Sequence, residues 1–163
     1  MRVLTLLLPM ILSACVVVPV PVALPGDAGA ARPLRALAAS APVSPRFDAQ
    51  LNALRRQAGV GAIAPNAGLD RVAAEHAAWL ASTGRLQHRG ASGQRASGRV
   101  RAAGVSSCPA GENLAEGYGS AEGAFAGWAQ SPGHRANMTH PDYVNYGLGR
   151  SGDVWVLVLL MAC

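Results

Sequence analysis

Lysine is missing altogether from this 163-residue chain; all 14 of its basic side chains are arginine. Charged residues are sparse, at 14% against 50% hydrophobic, which excludes a disordered acidic chain and a charge-laced coiled coil. Aromatics are scarcer still, at 5%. The formal net charge is +5 and the pI near 9.9, but the arginines are scattered, with few rings among them on which bases could stack. Even the local group Arg95, Arg99 and Arg101 reads as a solvated basic face, and no nucleic-acid partner is expected. No HExxH helix and no nucleophile elbow are present. The apolar run Val3–Leu12 is too short to cross a bilayer.

What that short run does fit is an export signal. Met1-Arg2 supplies the positive start, and Ser13-Ala14-Cys15 supplies small residues at a cut. Leu12-Ser13-Ala14-Cys15 resembles the lipobox of bacterial lipoproteins, which implies acylation of Cys15 as the mature N-terminus and a stable membrane anchor. An ordinary secretory signal cut nearby is the alternative. The chain divides into a lipoprotein signal peptide (1–14), a Pro/Ala-rich tether (15–45) and a folded domain (46–163). Six prolines between Val16 and Pro45 leave the tether no hydrophobic period. Val16, rather than aspartate, follows the cysteine, so the expected location is the bacterial envelope, on the periplasmic side of the outer membrane, or else secretion.

The folded part opens with Ser44-Pro45, a helix-start signal, and Phe47, Leu51 and Leu54 follow at helical spacing as far as Gly59. A second helix runs from about Leu69 to Thr83, with His76 on its apolar face, where a core histidine is the expected reading. His88 leaves that helix in a Gly/Ser-rich loop, free to point into a cleft. A short helix is possible around Arg95–Ala103, and a short strand is expected between Val105 and Tyr118. Ser120 caps the next helix, whose apolar face includes Ala124, Phe125 and Trp128. Ser131-Pro132 repeats the start signal and puts His134 in a first turn, where the helix dipole disfavours imidazolium. Two strands, Tyr143–Gly149 and Val154–Ala162, flank a hairpin turn. The second is apolar on both faces, so helices must cover the sheet above and below. The fold class is α+β, a three-layer α-β-α sandwich with a small antiparallel sheet.

An ordered series of residues adds a resemblance. Asn52-x-x-Arg55, Ala74-Glu75-His76, His88, Gly111-Glu112-Asn113-Leu114-Ala115, Trp128-x-x-Ser131-Pro132-Gly133-His134-Arg135-x-Asn137 and Tyr146-Gly147-x-Gly149 together resemble the bacterial branch of the CAP superfamily of cysteine-rich secretory, antigen 5 and pathogenesis-related proteins. The resemblance covers residues 46–163 and implies the same α-β-α sandwich. It also implies a cleft of two histidines and two glutamates, the histidines binding a divalent metal in some members. His88 matches the first histidine, Glu112 the first glutamate and His134 the second histidine. The second glutamate's place is taken by Ser131, which leaves the tetrad incomplete.

Three functions are open at this stage. The favoured one is a membrane-anchored module whose cleft (His88, Glu112, Ser131, His134) binds a small ligand, lipid, peptide or divalent metal without clear turnover. A metal-assisted hydrolase would use Glu112 as the catalytic carboxylate with His88 and His134 as metal ligands. A structural polar cluster would hold no ligand. Zinc suits two imidazoles and a carboxylate, and its affinity should fall as pH drops through about 6.5. With Cys15 lipidated, Cys108 and Cys163 are left in an oxidising compartment, where a disulfide is expected; a free buried pair is the alternative.

Overall fold

The computed structural model describes residues 44–163; the expected signal peptide, Cys15 and the expected tether up to residue 43 lie outside the described residues. Helix α1 (Pro45–Gln57) is capped by Ser44, whose hydroxyl accepts from the Phe47 amide at 3.2 Å. Two-residue strand β1 (Ala64–Pro65) and helix α2 (Ala67–Thr83) follow. The Asn66 side chain caps α2, and Gly84 ends it in the left-handed conformation that glycine adopts without strain. Helix α3 (Ala96–Ala102), strand β2 (Ala110–Ala115), helices α4 (Ala121–Gln130) and α5 (Pro132–Met138), and strands β3 (Tyr143–Ser151) and β4 (Val154–Met161) complete the order.

The sheet runs β1-β3-β4-β2. Its three long strands pair antiparallel, as expected, but β1 pairs parallel with β3, so the sheet is mixed. Nothing in the alternation of so short a segment announces a strand, and Pro65 lacks an amide to donate, which suits the sheet edge. The β3–β4 hairpin closes through Gly152-Asp153 alone, a turn tighter than the four residues the sequence suggests.

The continuous apolar run of β4 is covered on both sides. Val154, Val156, Val158 and Leu160 face Leu69, Val72, Ala73 and Leu80 of α2. Trp155, Leu157 and Leu159 belong to the opposite core, with Phe47, Leu51, Trp128 and Tyr146. Each such large apolar side chain contributes roughly 1.5–3 kcal/mol on full burial. Helix α2 lies directly on β3 because Gly147 and Gly149 present no side chain there; a Cβ at either would collide with α2 backbone. The motif residue Arg55 is fully buried and has a structural task. It donates to the carbonyls of Gly61, Met138, His140 and Tyr143, fastening α1 to the chain after α5.

Cys108, just before β2, is disulfide-bonded to Cys163, with Cα atoms 5.3 Å apart. The bridge ties the end of β4 to the segment that carries Glu112. Among the described residues, no helix is long and apolar enough to cross a membrane.

Candidate functional site

Glu112 sits on β2, paired with Val158 of the central strand β4. Its side chain is 3% exposed. A carboxylate buried to that extent needs a counter-charge and donors, and it has both. Arg99 of α3 donates through Nη2 to Oε2 in a direct ion pair. The His88 Nδ1 meets Oε1 at 2.9 Å. His76 of α2 brings Nε2 to 3.8 Å from Oε2. Burial pushes the Glu112 carboxyl above its ordinary pKa, while Arg99 and His88 pull the other way and only partly offset it.

Each partner is itself held. Arg99 Nη1 donates to the carbonyls of His88 at 3.0 Å and Gln94 at 2.9 Å, so the guanidinium closes the 88–94 loop over the carboxylate. The His76 ring stacks on Trp79, with centroids 5.7 Å apart, and its Nε2 meets the Gln87 carbonyl at 3.2 Å. Desolvation first, then the Arg99 charge, lowers the His76 pKa to about 4, so the ring is neutral at pH 7. His88 differs from both: its side chain is half exposed, and Nδ1 is the ring nitrogen that meets Glu112.

Helix α5 reaches the same place through Asn137, which shares a cavity lining with His88 and Glu112, a lining that includes neither His134 nor Ser131. His134 on α5 is half-buried, its pKa lowered by desolvation and then by the nearby His88. The direction is the one expected from the helix start, but burial is the leading cause. An amide relay positions this helix. Asn113, next to Glu112, donates to the His134 carbonyl at 3.0 Å; Asn137 donates to Asn113 at 2.8 Å, and the Tyr143 hydroxyl donates to Asn137 at 2.8 Å. Gly111 is required at its position, since a Cβ there would run into that hydroxyl. A cavity of about 250 Å³ opens at this place, lined by His88, Arg95, Gly111, Glu112 and Asn137.

Two sequence readings need revision. Ser131 stands at the junction of α4 and α5, but its side chain makes no capping hydrogen bond. Arg99 is not part of a solvated basic face; its side chain is only 13% exposed and neutralises Glu112. His76 is a core residue, as its apolar face suggested, yet the core it enters touches the carboxylate. His140 serves a local turn, accepting from the Asp142 amide at 3.3 Å.

A mixed sheet between α2 on one face and α1 with α4 on the other, a buried glutamate on β2 and two histidines on flanking segments define a CAP-type sandwich. The chain belongs to the cysteine-rich secretory protein family, whose model matches residues 49–157. A 58-residue stretch is 36% identical to YkwD, an uncharacterised protein of Bacillus subtilis, covering 34% of this chain and 23% of that one. The fold is similar to that of an extracellular, SCP-domain protein of Bacillus anthracis (TM-score 0.67, 20% identity, 75% of this chain and 45% of that one). It is also similar to an outer surface protein of Borrelia burgdorferi (TM-score 0.64, 19% identity, 72% and 91%) and to a cysteine-rich secretory protein of Staphylococcus aureus (TM-score 0.60, 17% identity, 74% and 40%). This chain thus spans less than half the length of the B. anthracis and S. aureus proteins.

Proposed function

We propose that this protein is an extracytoplasmic binding module, tethered to the bacterial envelope through acylated Cys15, whose cleft holds a divalent metal or a polar ligand without turning it over. The observation that carries the reading is the state of Glu112. It is the carboxylate of the His88 cluster, and both its oxygens are spent, one on His88 and one on Arg99. A general base needs a free, water-accessible lone pair, whereas a buried and fully engaged carboxylate suits a scaffold. Ser131 in the place of the second glutamate points the same way.

The donor set fits a weakly held cation. His88 offers Nε2 while Glu112 fixes its tautomer from behind, the arrangement in which a carboxylate orients a metal-ligating imidazole. His134, kept neutral by burial, would be the other protein ligand. Among the described residues no group of three or more His, Cys, Asp or Glu could hold a metal, and two imidazoles fall short of the three or four protein ligands of ordinary zinc sites. A bound cation would supply a Lewis-acidic docking point for an anionic or carbonyl-bearing ligand. The envelope location rests on Leu12–Cys15 and agrees with the extracellular or surface character stated for the structurally similar proteins.

Calorimetry with zinc on the wild type, His88→Ala, His134→Ala and His76→Ala tests the site. The wild type and His76→Ala should bind and the other two should not. Binding that survives His88→Ala and His134→Ala overturns the assignment. Chelator-sensitive hydrolysis of casein or of peptidoglycan fragments would instead favour the enzyme.

A further inference from the structure

Strand β2 is an edge of the sheet, since the order β1-β3-β4-β2 leaves one of its sides without a strand. In an antiparallel pair, successive residues turn their backbone N–H and C=O alternately toward the partner strand and away from it. Ala110, Glu112 and Leu114 are the residues of β2 turned away. The Ser97 hydroxyl of α3 accepts from the Ala110 amide at 2.9 Å and donates to the Ala110 carbonyl at 3.2 Å, and the Trp128 indole donates to the Leu114 carbonyl at 2.9 Å. Covering of that kind is how a sheet edge is blunted. Glu112, between the two, is left uncovered: among the described residues nothing bonds its backbone N–H or C=O.

That backbone faces accessible space. Glu112 is partly exposed as a residue although its side chain is only 3% exposed, so the accessible part of it is main chain. It lines the cavity of about 250 Å³, to which α3 contributes Ala96 and α5 contributes Asn137. The polar side chains of this lining are already engaged, with one exception. Asn137 donates to Asn113 and accepts from Tyr143, His88 meets Glu112, and Arg99 neutralises the Glu112 carboxylate. Arg95, at the start of α3, is exposed and makes no hydrogen bond or ion pair with any described residue. No other acidic side chain is in the lining, so the cavity carries one unanswered positive charge.

We propose that the edge of β2 at Glu112 is a peptide subsite, which takes the C-terminal end of an extended peptide as a short antiparallel addition to the sheet. The proposal rests on the binding-module reading of this cleft and names its ligand class. Glu112 would exchange both backbone hydrogen bonds with the penultimate residue of the peptide, the pairing used in strand addition. Charge decides the direction. Because Ser97 holds Ala110, Arg95 and the start of α3 stand at the N-terminal end of β2. An antiparallel peptide runs toward that end and delivers its terminal carboxylate to the free guanidinium. A parallel one would bring its ammonium there. Ser97 also closes the edge at Ala110, so the peptide has to stop one residue after the one paired with Glu112, and an internal segment does not fit. Ala96, Ala110 and Gly111 line the cavity with little bulk, which suits side chains as small as alanine.

The test is a ¹H–¹⁵N NMR titration of the labelled full chain, in EDTA, with N-acetyl-Ala-Ala, its C-terminal amide and its two N-methyl isomers. N-acetyl-Ala-Ala should give a saturable downfield shift of the Glu112 amide. Methylating the penultimate nitrogen, which faces the Glu112 carbonyl, should weaken binding by at least about fivefold, the factor one net hydrogen bond is worth. Methylating the terminal residue's nitrogen, which points away from β2, should leave it unchanged. Amidation of the carboxylate and Arg95→Gln should each weaken binding by about fivefold or more, and the two losses should not add, since both remove one contact. Arg101→Gln makes the same charge change at an exposed position outside the lining and should have no effect. Equal losses from the two methyl groups, no saturable shift at Glu112, or equal behaviour of Arg95→Gln and Arg101→Gln would overturn the proposal. With EDTA present, peptide binding supports the subsite whether or not His88 and His134 take zinc. Zinc binding without peptide binding overturns the subsite alone. Release of free alanine from the probe would overturn the absence of turnover, and the two N-methyl isomers would still decide the strand pairing.

Discussion

The two walls of the cleft are built in opposite ways. On the Glu112 wall both carboxylate oxygens are buried and answered. Arg99 reaches the carboxylate and two loop carbonyls, His88 takes the other oxygen, and the Cys108–Cys163 bridge ties the strand at its base. On the His134 wall a seven-residue helix begins without a side-chain cap and is positioned through a backbone carbonyl bonded to Asn113. One wall is fixed by interactions that cannot be removed singly without stranding a partner. The other carries His134, whose backbone carbonyl rather than its ring takes the bond to Asn113. His88, backed by Glu112, is thus held more firmly than His134.

If this contrast is right, the largest loss comes from the ion pair. Arg99→Met leaves a buried carboxylate without counter-charge and should cost about 3 kcal/mol in urea unfolding. Adding Glu112→Gln to that variant should restore part of the loss, because the stranded charge is gone. A single-variant effect below about 0.5 kcal/mol, the scale of an exposed pair, would show that Arg99 is solvated and remove the distinction between the walls.

Acid should weaken the same wall as well. The folded-state pKa of His76 is lowered from the ordinary 6.5 to about 4, chiefly by desolvation and then by Arg99. A depressed folded pKa means that the unfolded chain takes the proton first. The contribution is present in full above about pH 6.5 and is lost as pH falls to about 4, to a limit of about 3 kcal/mol. His134, also lowered, acts in the same sense. Glu112, raised by burial, acts in the opposite one, since its folded form binds the proton first on acidification. Comparing wild type with His76→Gln at pH 7 and pH 4.5 isolates the imidazole. The variant should lose less stability between those pH values, and parallel losses would mean that His76 is not the group responsible.

Much of the fold was legible because its signals are local. Ser44-Pro45, Asn66, Gly84 and Ser120 mark helix ends by chemistry confined to one turn, and the unbroken apolar run of β4 announces a strand covered on both faces. The site was legible only in part. Glu112 and its histidine His88 stand out as polar residues at a glycine and in a loop. Arg99 does not, because its partner lies 13 residues away and arginine at a helix surface ordinarily points to water. A signal was available: Ala96 and Val100 are the buried positions of α3, and Arg99, three residues after Ala96, shares their side of the helix. His76 was placed in the core by its helical face, but periodicity says only that a residue turns inward. What it meets there depends on the sheet register, which sets Glu112 opposite Val158.

The smallest expected effect is on the yielding wall. His134→Ala removes a half-buried ring that makes no hydrogen bond to the cluster, and leaves intact the backbone carbonyl that Asn113 holds. Stability should change by less than about 0.5 kcal/mol, the usual range for a surface substitution away from special features. Asn113→Ala is the informative counterpart. It unpairs both the His134 carbonyl and Asn137 in a buried place, and should cost about 1–3 kcal/mol. Thermal unfolding of the two variants orders them. If His134→Ala proved as costly as Asn113→Ala, the ring itself would be holding α5 in place. The histidine would then be a structural post, and the two walls of the cleft would be alike.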